Sequence, residues 1–130
     1  MTLKQKRQTY DRGLFSEKCA SIWLLLKGYR ILEQRYKTKV GEVDLIVSKN
    51  KTIAFVEVKA RPTKEQALES ITPQMRHRIA RTAEYYMSHN DVADYDFRFD
   101  VVAVMPFSFR NIIGGQFFIH HLDNAWERGA

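Results

Sequence analysis

One cysteine in 130 residues, Cys19, excludes an internal disulfide and any cysteine-rich zinc site. It falls in an apolar stretch that should be helical, where a buried, inert thiol is the ordinary outcome. Long hydrophobic runs are missing too. The longest, Ile22 to Leu26, is far below the roughly 20 apolar residues that span a bilayer. Nor do the first residues resemble a secretory leader. A basic start runs into Gln8, Thr9, Asp11 and Glu17, with no small-residue cleavage site behind an apolar core. The expected location is the cytoplasm, with no membrane partner. The chain has no glycine-rich phosphate loop, no internal repeat and no low-complexity segment. His120-His121 is no metal signal, because neighbouring strand residues point to opposite faces.

What is present fits one soluble domain. With 45% hydrophobic and 28% charged residues, 130 residues can build one full core and are too few for two ordinary ones. Lys and Arg outnumber Asp and Glu by 21 to 15, a net charge of +6. Such a balance favours an anionic partner, nucleic acid first, against the plainer option of a basic surface kept for solubility. Residues 1–12 carry Lys4, Lys6, Arg7 and Arg12 with little apolar content and are expected to form a basic arm. Residues 13–130 form the domain.

The most informative stretch is Gly41 to Lys59. Two runs rich in Val, Ile and Phe flank Asn50-Lys51, the pattern of a β-hairpin. Strand alternation places Glu42, Asp44 and Ile46 on one face and Val43, Leu45 and Val47 on the other. In the second strand Ile53, Phe55, Glu57 and Lys59 share a face. A two-residue turn at Asn50-Lys51 sets Asp44 opposite Glu57 and Glu42 opposite Lys59, with Cβ atoms about 5 Å apart across each pair. Two carboxylates facing each other on apolar strands repel, and both lose hydration. A hard divalent cation between them, such as Mg²⁺, removes the conflict. The competing reading is a salt-bridged hairpin in which Glu57–Lys59 and Glu42–Lys59 are ordinary surface pairs.

Around this hairpin the pattern predicts a helix from about Leu14 to Lys27, stopped by Gly28. Its second half is apolar nearly all round and should be buried against a sheet. Glu17 lies on a stripe with Gly13, Ala20, Ser21 and Leu24. It is either an inward-aimed carboxylate or a first-turn glutamate favoured by the helix dipole. Tyr29 to Tyr36 is a strand, and Lys37 to Val40 a basic turn. Thr72-Pro73 starts a helix that runs to about His89, with Asn90 as its left-handed stop. Met75, Ile79, Ala83 and Tyr86 form the apolar stripe of this helix. Its early basic side carries Gln74, Arg76, His77, Arg78 and Arg81, which suit either solvent or a phosphate backbone. Phe97 to Met105 is a strand and Phe107 to Gly115 a loop. Gln116 to Leu122 is a last strand, before a terminal helix capped by Asp123 and holding Trp126.

Taken together, these blocks resemble the core of the PD-(D/E)XK nuclease superfamily. Within it the chain is similar to the YraN-like family, small bacterial proteins taken to be nucleases. The resemblance spans nearly the whole chain. It rests on Gly13 with Glu17, Gly28-Tyr29-Arg30-Ile31-Leu32, Gly41-Glu42-Val43-Asp44-Leu45-Ile46 and Phe55-Val56-Glu57-Val58-Lys59 with Arg61. Thr72-Pro73, Arg98-Phe99-Asp100-Val101-Val102 and Asn124-Ala125 complete it. It implies an α/β restriction endonuclease-like core, with a mixed sheet of about four or five strands flanked by helices. It also implies Asp44 and Glu57 as metal ligands, the Val58 carbonyl as a third, Lys59 assisting the attacking water, and Glu17 completing the site. Mg²⁺ or Mn²⁺ would be the cofactor. DNA, branched or repair-related DNA included, would be the partner, held by Arg61, Gln74, Arg76, Arg78 and Arg81. The chain departs from the family at Met75-Arg76, where relatives commonly carry Lys-Gln, so a supporting polar contact is either missing or shifted to Gln74. Two other functions stay open. One is a non-catalytic nucleic-acid-binding module of the same fold. The other is an adaptor that docks through Phe117, Phe118 and Trp126. A homodimer is compatible with the sequence.

Overall fold

The computed structural model describes residues 2–105 and 118–127. The elements are α1 (Leu3–Leu26), β1 (Arg30–Thr38), β2 (Gly41–Lys49), β3 (Thr52–Ala60), α2 (Lys64–Glu69), α3 (Pro73–Ser88), β4 (Asp96–Val104) and β5 (Ile119–Trp126). The strands form one sheet in the order β1-β2-β3-β4-β5. Neighbours are antiparallel except β3 and β4, which are parallel. A parallel pair needs a long crossover, and α2 with α3 supplies it. The protein is thus α/β, a five-stranded mixed sheet flanked by helices, consistent with a restriction endonuclease-like core. The expected loop 107–115 and the start of the last strand at 116–117 lie outside the described residues.

The central hairpin forms as its sequence demands. Asn50 and Lys51 both have positive φ, 51° and 64°, the backbone of a type I′ turn whose twist matches that of the flanking strands. The turn fixes Lys49 against Thr52 and, by steps of one, Leu45 against Val56. On one sheet face α1 lays Ala20 and Leu24 over Leu45, Val47, Ala54 and Val56. On the other, α3 packs Ile79, Ala83 and Tyr86 against Ile46, Ile53, Phe55 and Phe99.

Several elements differ from the sequence reading. The first helix begins at Leu3 rather than near Leu14, so the expected basic arm is helical from its third residue. The cause is a capping box. Thr2 Oγ1 accepts the Gln5 N–H at 3.1 Å, and Gln5 Oε1 accepts the Thr2 N–H at 2.8 Å. The second half of α1 is not buried all round. Ile22, Leu25 and Leu26 are 52%, 54% and 77% exposed, because the sheet covers only one side of the helix. Val43 does not share a face with Leu45. It packs into the α3 layer while Leu45 packs into the α1 layer, so strict alternation breaks at Asp44. At the end of α3 the cap is His89 (φ −106°). The Asn90 side chain instead donates to the Tyr86 carbonyl at 2.8 Å.

The C-terminal segment is strand, not helix. Asn124 (φ 49°) is a kink within β5, and its N–H donates to Asp100 Oδ1 at 3.0 Å. Trp126 is buried and stacks on Phe99, centroids 5.3 Å apart. Asp100 is fully buried and also accepts from Arg98 Nε at 2.9 Å and His121 Nε2 at 2.7 Å. The Lys27 ammonium lies on His121 Nδ1 and has only protons to give, so Nδ1 accepts and Nε2 carries the proton shared with Asp100. Burial alone would raise the Asp100 pKa. Hydrogen bonds from His121, Arg98 and Asn124 outweigh it and hold the carboxyl below its usual range.

At the start of β2, Gly41 has φ 156°, and a Cβ there would lie 2.8 Å from Thr82 Oγ1 and 3.3 Å from the Arg78 carbonyl oxygen. The strand therefore touches α3 backbone to helix. Gly41→Ala is expected to cost about 1–3 kcal/mol through this overpacking, measured as a lower urea midpoint. An unchanged midpoint would mean that α3 moves aside freely.

Candidate metal centre

One step beyond the Leu45–Val56 pair, side chains replace carbonyls in joining β2 to β3. Asp44 Oδ2 accepts the Val58 N–H at 2.8 Å, and Glu57 Oε1 accepts the Asp44 N–H at 3.3 Å. The paired register ends at Leu45–Val56, so neither Asp44–Glu57 nor Glu42–Lys59 is a ladder pair, and these side chain-to-amide hydrogen bonds bring Asp44 and Glu57 together instead. Glu57 is buried, only 7% exposed. Burial first, then the charge of Asp44, pushes the Glu57 pKa up to about 8, against the opposing field of Lys59. Burial likewise raises Asp44, to about 6. The Val58 N–H and Lys59 oppose the rise, and Glu17 adds to it. The pair is therefore short of positive charge.

The carboxylates open into a cleft of about 950 Å³ at the end of the sheet, bounded by α1, the β1–β2 corner, the end of β3 and the start of α3. Glu17, Asp44, Glu57, Val58, Lys59, Arg61 and Arg78 all line it. Gln74, Arg76 and Arg81 do not. Arg76 turns away to give its Nε proton to the Ile71 carbonyl at 3.2 Å, and its guanidinium lies 5.6 Å from the Trp126 ring centroid. Gln74 and Arg81 are exposed on α3 outside the cleft lining. Met75 does face the cleft, at the helix position where the resemblance expects a polar side chain.

Sequence reasoning missed three basic residues here. Lys37 and Lys39 line the cleft from the β1–β2 corner. Their signal was available, since a basic turn directly precedes the first carboxylate strand. Arg35 was not legible. Its Nε donates to Glu17 Oε2 at 2.8 Å, a contact between a strand and a helix 18 residues away in sequence.

The donor set fits a hard divalent cation. Two adjacent carboxylates in a basic cleft carry raised pKa values that a cation between them would lower. Mg²⁺ sites commonly use one or two carboxylates and complete the shell with water and phosphate. Among the described residues no group of three His, Cys, Asp or Glu is close enough to hold an ion. Asp44 and Glu57 are therefore the pair to consider, with Glu17 engaged by Arg35.

Fold and cleft together define a class: a small α/β protein whose central hairpin presents two adjacent carboxylates, one buried and one half-buried, to a basic cleft. The chain belongs to the Uncharacterised protein family UPF0102, whose model matches residues 16–104. A UPF0102 protein of Methylocella silvestris is 47% identical over 102 residues, covering 78% of this chain and 82% of its own. One of Alkaliphilus metalliredigens is 39% identical over 116 residues, covering 88% and 96%. Another, of Maricaulis maris, is 39% identical over 104 residues, covering 79% and 82%. No helix among the described residues is long and apolar enough to cross a membrane.

The raised pair makes metal-free stability depend on pH. Glu57 has an ordinary value of 4.5 and a folded value of about 8, so between these the native state holds a proton that the unfolded chain has lost. Its stabilising contribution is full below the lower value and is lost as pH rises through the upper one. In EDTA, the melting temperature of wild type relative to Glu57→Gln should therefore fall from pH 5 to pH 9. Parallel curves for the two proteins would refute the assignment.

Proposed function

We propose that this protein is a metal-dependent phosphodiesterase acting on nucleic acid, DNA by preference. The observation that supports it is the pair of under-compensated carboxylates, half-buried Asp44 and buried Glu57, opening into a cleft lined by Lys37, Lys39, Lys59, Arg61 and Arg78. Asp44, Glu57 and the Val58 carbonyl would hold Mg²⁺ or Mn²⁺, which when bound polarises the scissile phosphate and acidifies a coordinated water. Lys59, beside both carboxylates, orients the attacking water and steadies the phosphate. Lys37, Lys39, Arg61 and Arg78 hold the backbone on either side. The resemblance to PD-(D/E)XK nucleases supports the same reading.

A non-catalytic binding module is the second reading. The engagement of Glu17 by Arg35 favours it, because it leaves two carboxylates rather than three for a metal. Of the three residues on which the adaptor reading rests, Trp126 is buried in the core, Phe118 is half-buried and Phe117 lies outside the described residues.

Cleavage of single-stranded, duplex and branched DNA with Mg²⁺ or Mn²⁺ separates the readings. Asp44→Asn should lose cleavage by at least about a hundredfold and still retard DNA in a gel, because the protein becomes more positive. Lys59→Ala should lose cleavage without binding more tightly. If wild type cuts nothing and calorimetry detects no divalent ion, the binding module replaces the enzyme.

Four phosphates held by the four flanking cleft cations predict a log–log salt slope of about −3 to −4 on duplex DNA. A flat response would exclude both nucleic-acid readings.

A further inference from the structure

Arg35 has a backbone that needs explaining. It stands inside β1 with φ 51°, a left-handed conformation that a strand residue keeps only where its surroundings hold it. Gln34 pairs with Leu45 and Tyr36 with Val43, so Arg35 sits across from Asp44, at the point where β2 alternation breaks. From there its Nε reaches Glu17 Oε2 at 2.8 Å. Glu17 lines the same cleft as Asp44 and Glu57. A third carboxylate therefore stands beside the pair, yet no three carboxylates are gathered closely enough to hold an ion among the described residues.

We propose that Arg35 is a resident counter-ion that holds Glu17 away from the metal site and releases it when a divalent cation enters between Asp44 and Glu57. The inference rests on the function proposed above and deepens it: Glu17 is a ligand of the loaded site only, and Arg35 positions it.

The contact is built to exchange. The Arg35 and Glu17 side chains that make this contact are 39% and 25% exposed. Solvent screens such a pair, so it is weak. A divalent cation offers Glu17 twice the charge at a more buried point, where the attraction is larger. Left-handed backbone at Arg35 keeps the guanidinium on the α1 side of this exchange, close enough to recapture Glu17 when the ion leaves. Metal and arginine then compete for one carboxylate, and removing the arginine favours the metal.

Calorimetry with Mn²⁺ alone tests this without any reaction. Arg35→Gln should bind Mn²⁺ about three- to tenfold more tightly than wild type. Arg35→Lys, which keeps the charge, should stay nearer to wild type. In a Glu17→Gln background the gain from Arg35→Gln should shrink below about twofold, because the competed carboxylate is gone. Arg35→Gly suits the left-handed backbone and serves if the glutamine variant fails to fold. Wild-type binding that Asp44→Asn abolishes, with affinity unchanged or weaker in Arg35→Gln, overturns the inference and leaves the proposed function standing. A gain of equal size in both Glu17 backgrounds also overturns it, by showing a field effect on the ion instead. Binding by Arg35→Gln where wild type shows none would support a stronger hold on Glu17. Absence of Mn²⁺ binding in every variant overturns the inference and the metal centre together.

Discussion

The candidate centre depends on one exchange of hydrogen bonds. Where β2 and β3 would continue their carbonyl ladder, the Asp44 and Glu57 carboxylates take the amide protons of Val58 and Asp44. These side chains are therefore part of the joint between the two strands. They cannot turn to solvent to recover their hydration without leaving buried amides unpaired, which is costly. Their charge stays where it is, and the site must be neutralised by something that comes to it, a proton or a cation.

A second buried carboxylate in the same sheet shows what a self-sufficient one looks like. Asp100 is as inaccessible as Glu57, but Arg98, His121 and the Asn124 amide satisfy it from three directions. Its pKa moves down, while those of Asp44 and Glu57 move up. The Asp100 cluster ties β4 to β5 and closes on itself. By contrast, Asp44 and Glu57 have amide donors, Lys59 nearby and a cleft in front. Burial is common to both places, and compensation is what separates a strut from a site.

The parts of this arrangement that are local in sequence were legible. Alternating apolar residues and two turn residues were enough to fix the β2–β3 register from Lys49–Thr52 to Leu45–Val56, next to which Asp44 and Glu57 meet. Thr72-Pro73 marked its helix start correctly because both act locally, Thr72 by accepting the Met75 N–H on its own Oγ1 and Pro73 by its fixed φ at the first helical position. Errors came where tertiary contacts decided the outcome. Asp123-Asn124 carries the residue types of a helix cap, but the demand of Asp100 for a donor and the stacking of Trp126 on Phe99 make it a kinked strand. Arg76 looked like a phosphate ligand from its helix position and is instead drawn to Ile71 and Trp126. The Glu17–Arg35 contact joins a helix to a strand through a backbone angle that no pattern of residue types announces.

The placement of both carboxylates on one hairpin also bears on how the molecule assembles. Contacts between near neighbours in sequence close small loops and form early, whereas the β3–β4 pairing must wait for the whole α2–α3 crossover. During synthesis the acidic pair can therefore come together while still wet, before α3 arrives with Arg78 and before β4 buries the far side of β3. The dehydration that raises the pKa values of the pair is a late event, completed only when the crossover docks. A chain arrested before that point would carry the same two carboxylates on the same hairpin with their hydration, and their ordinary acidity, intact.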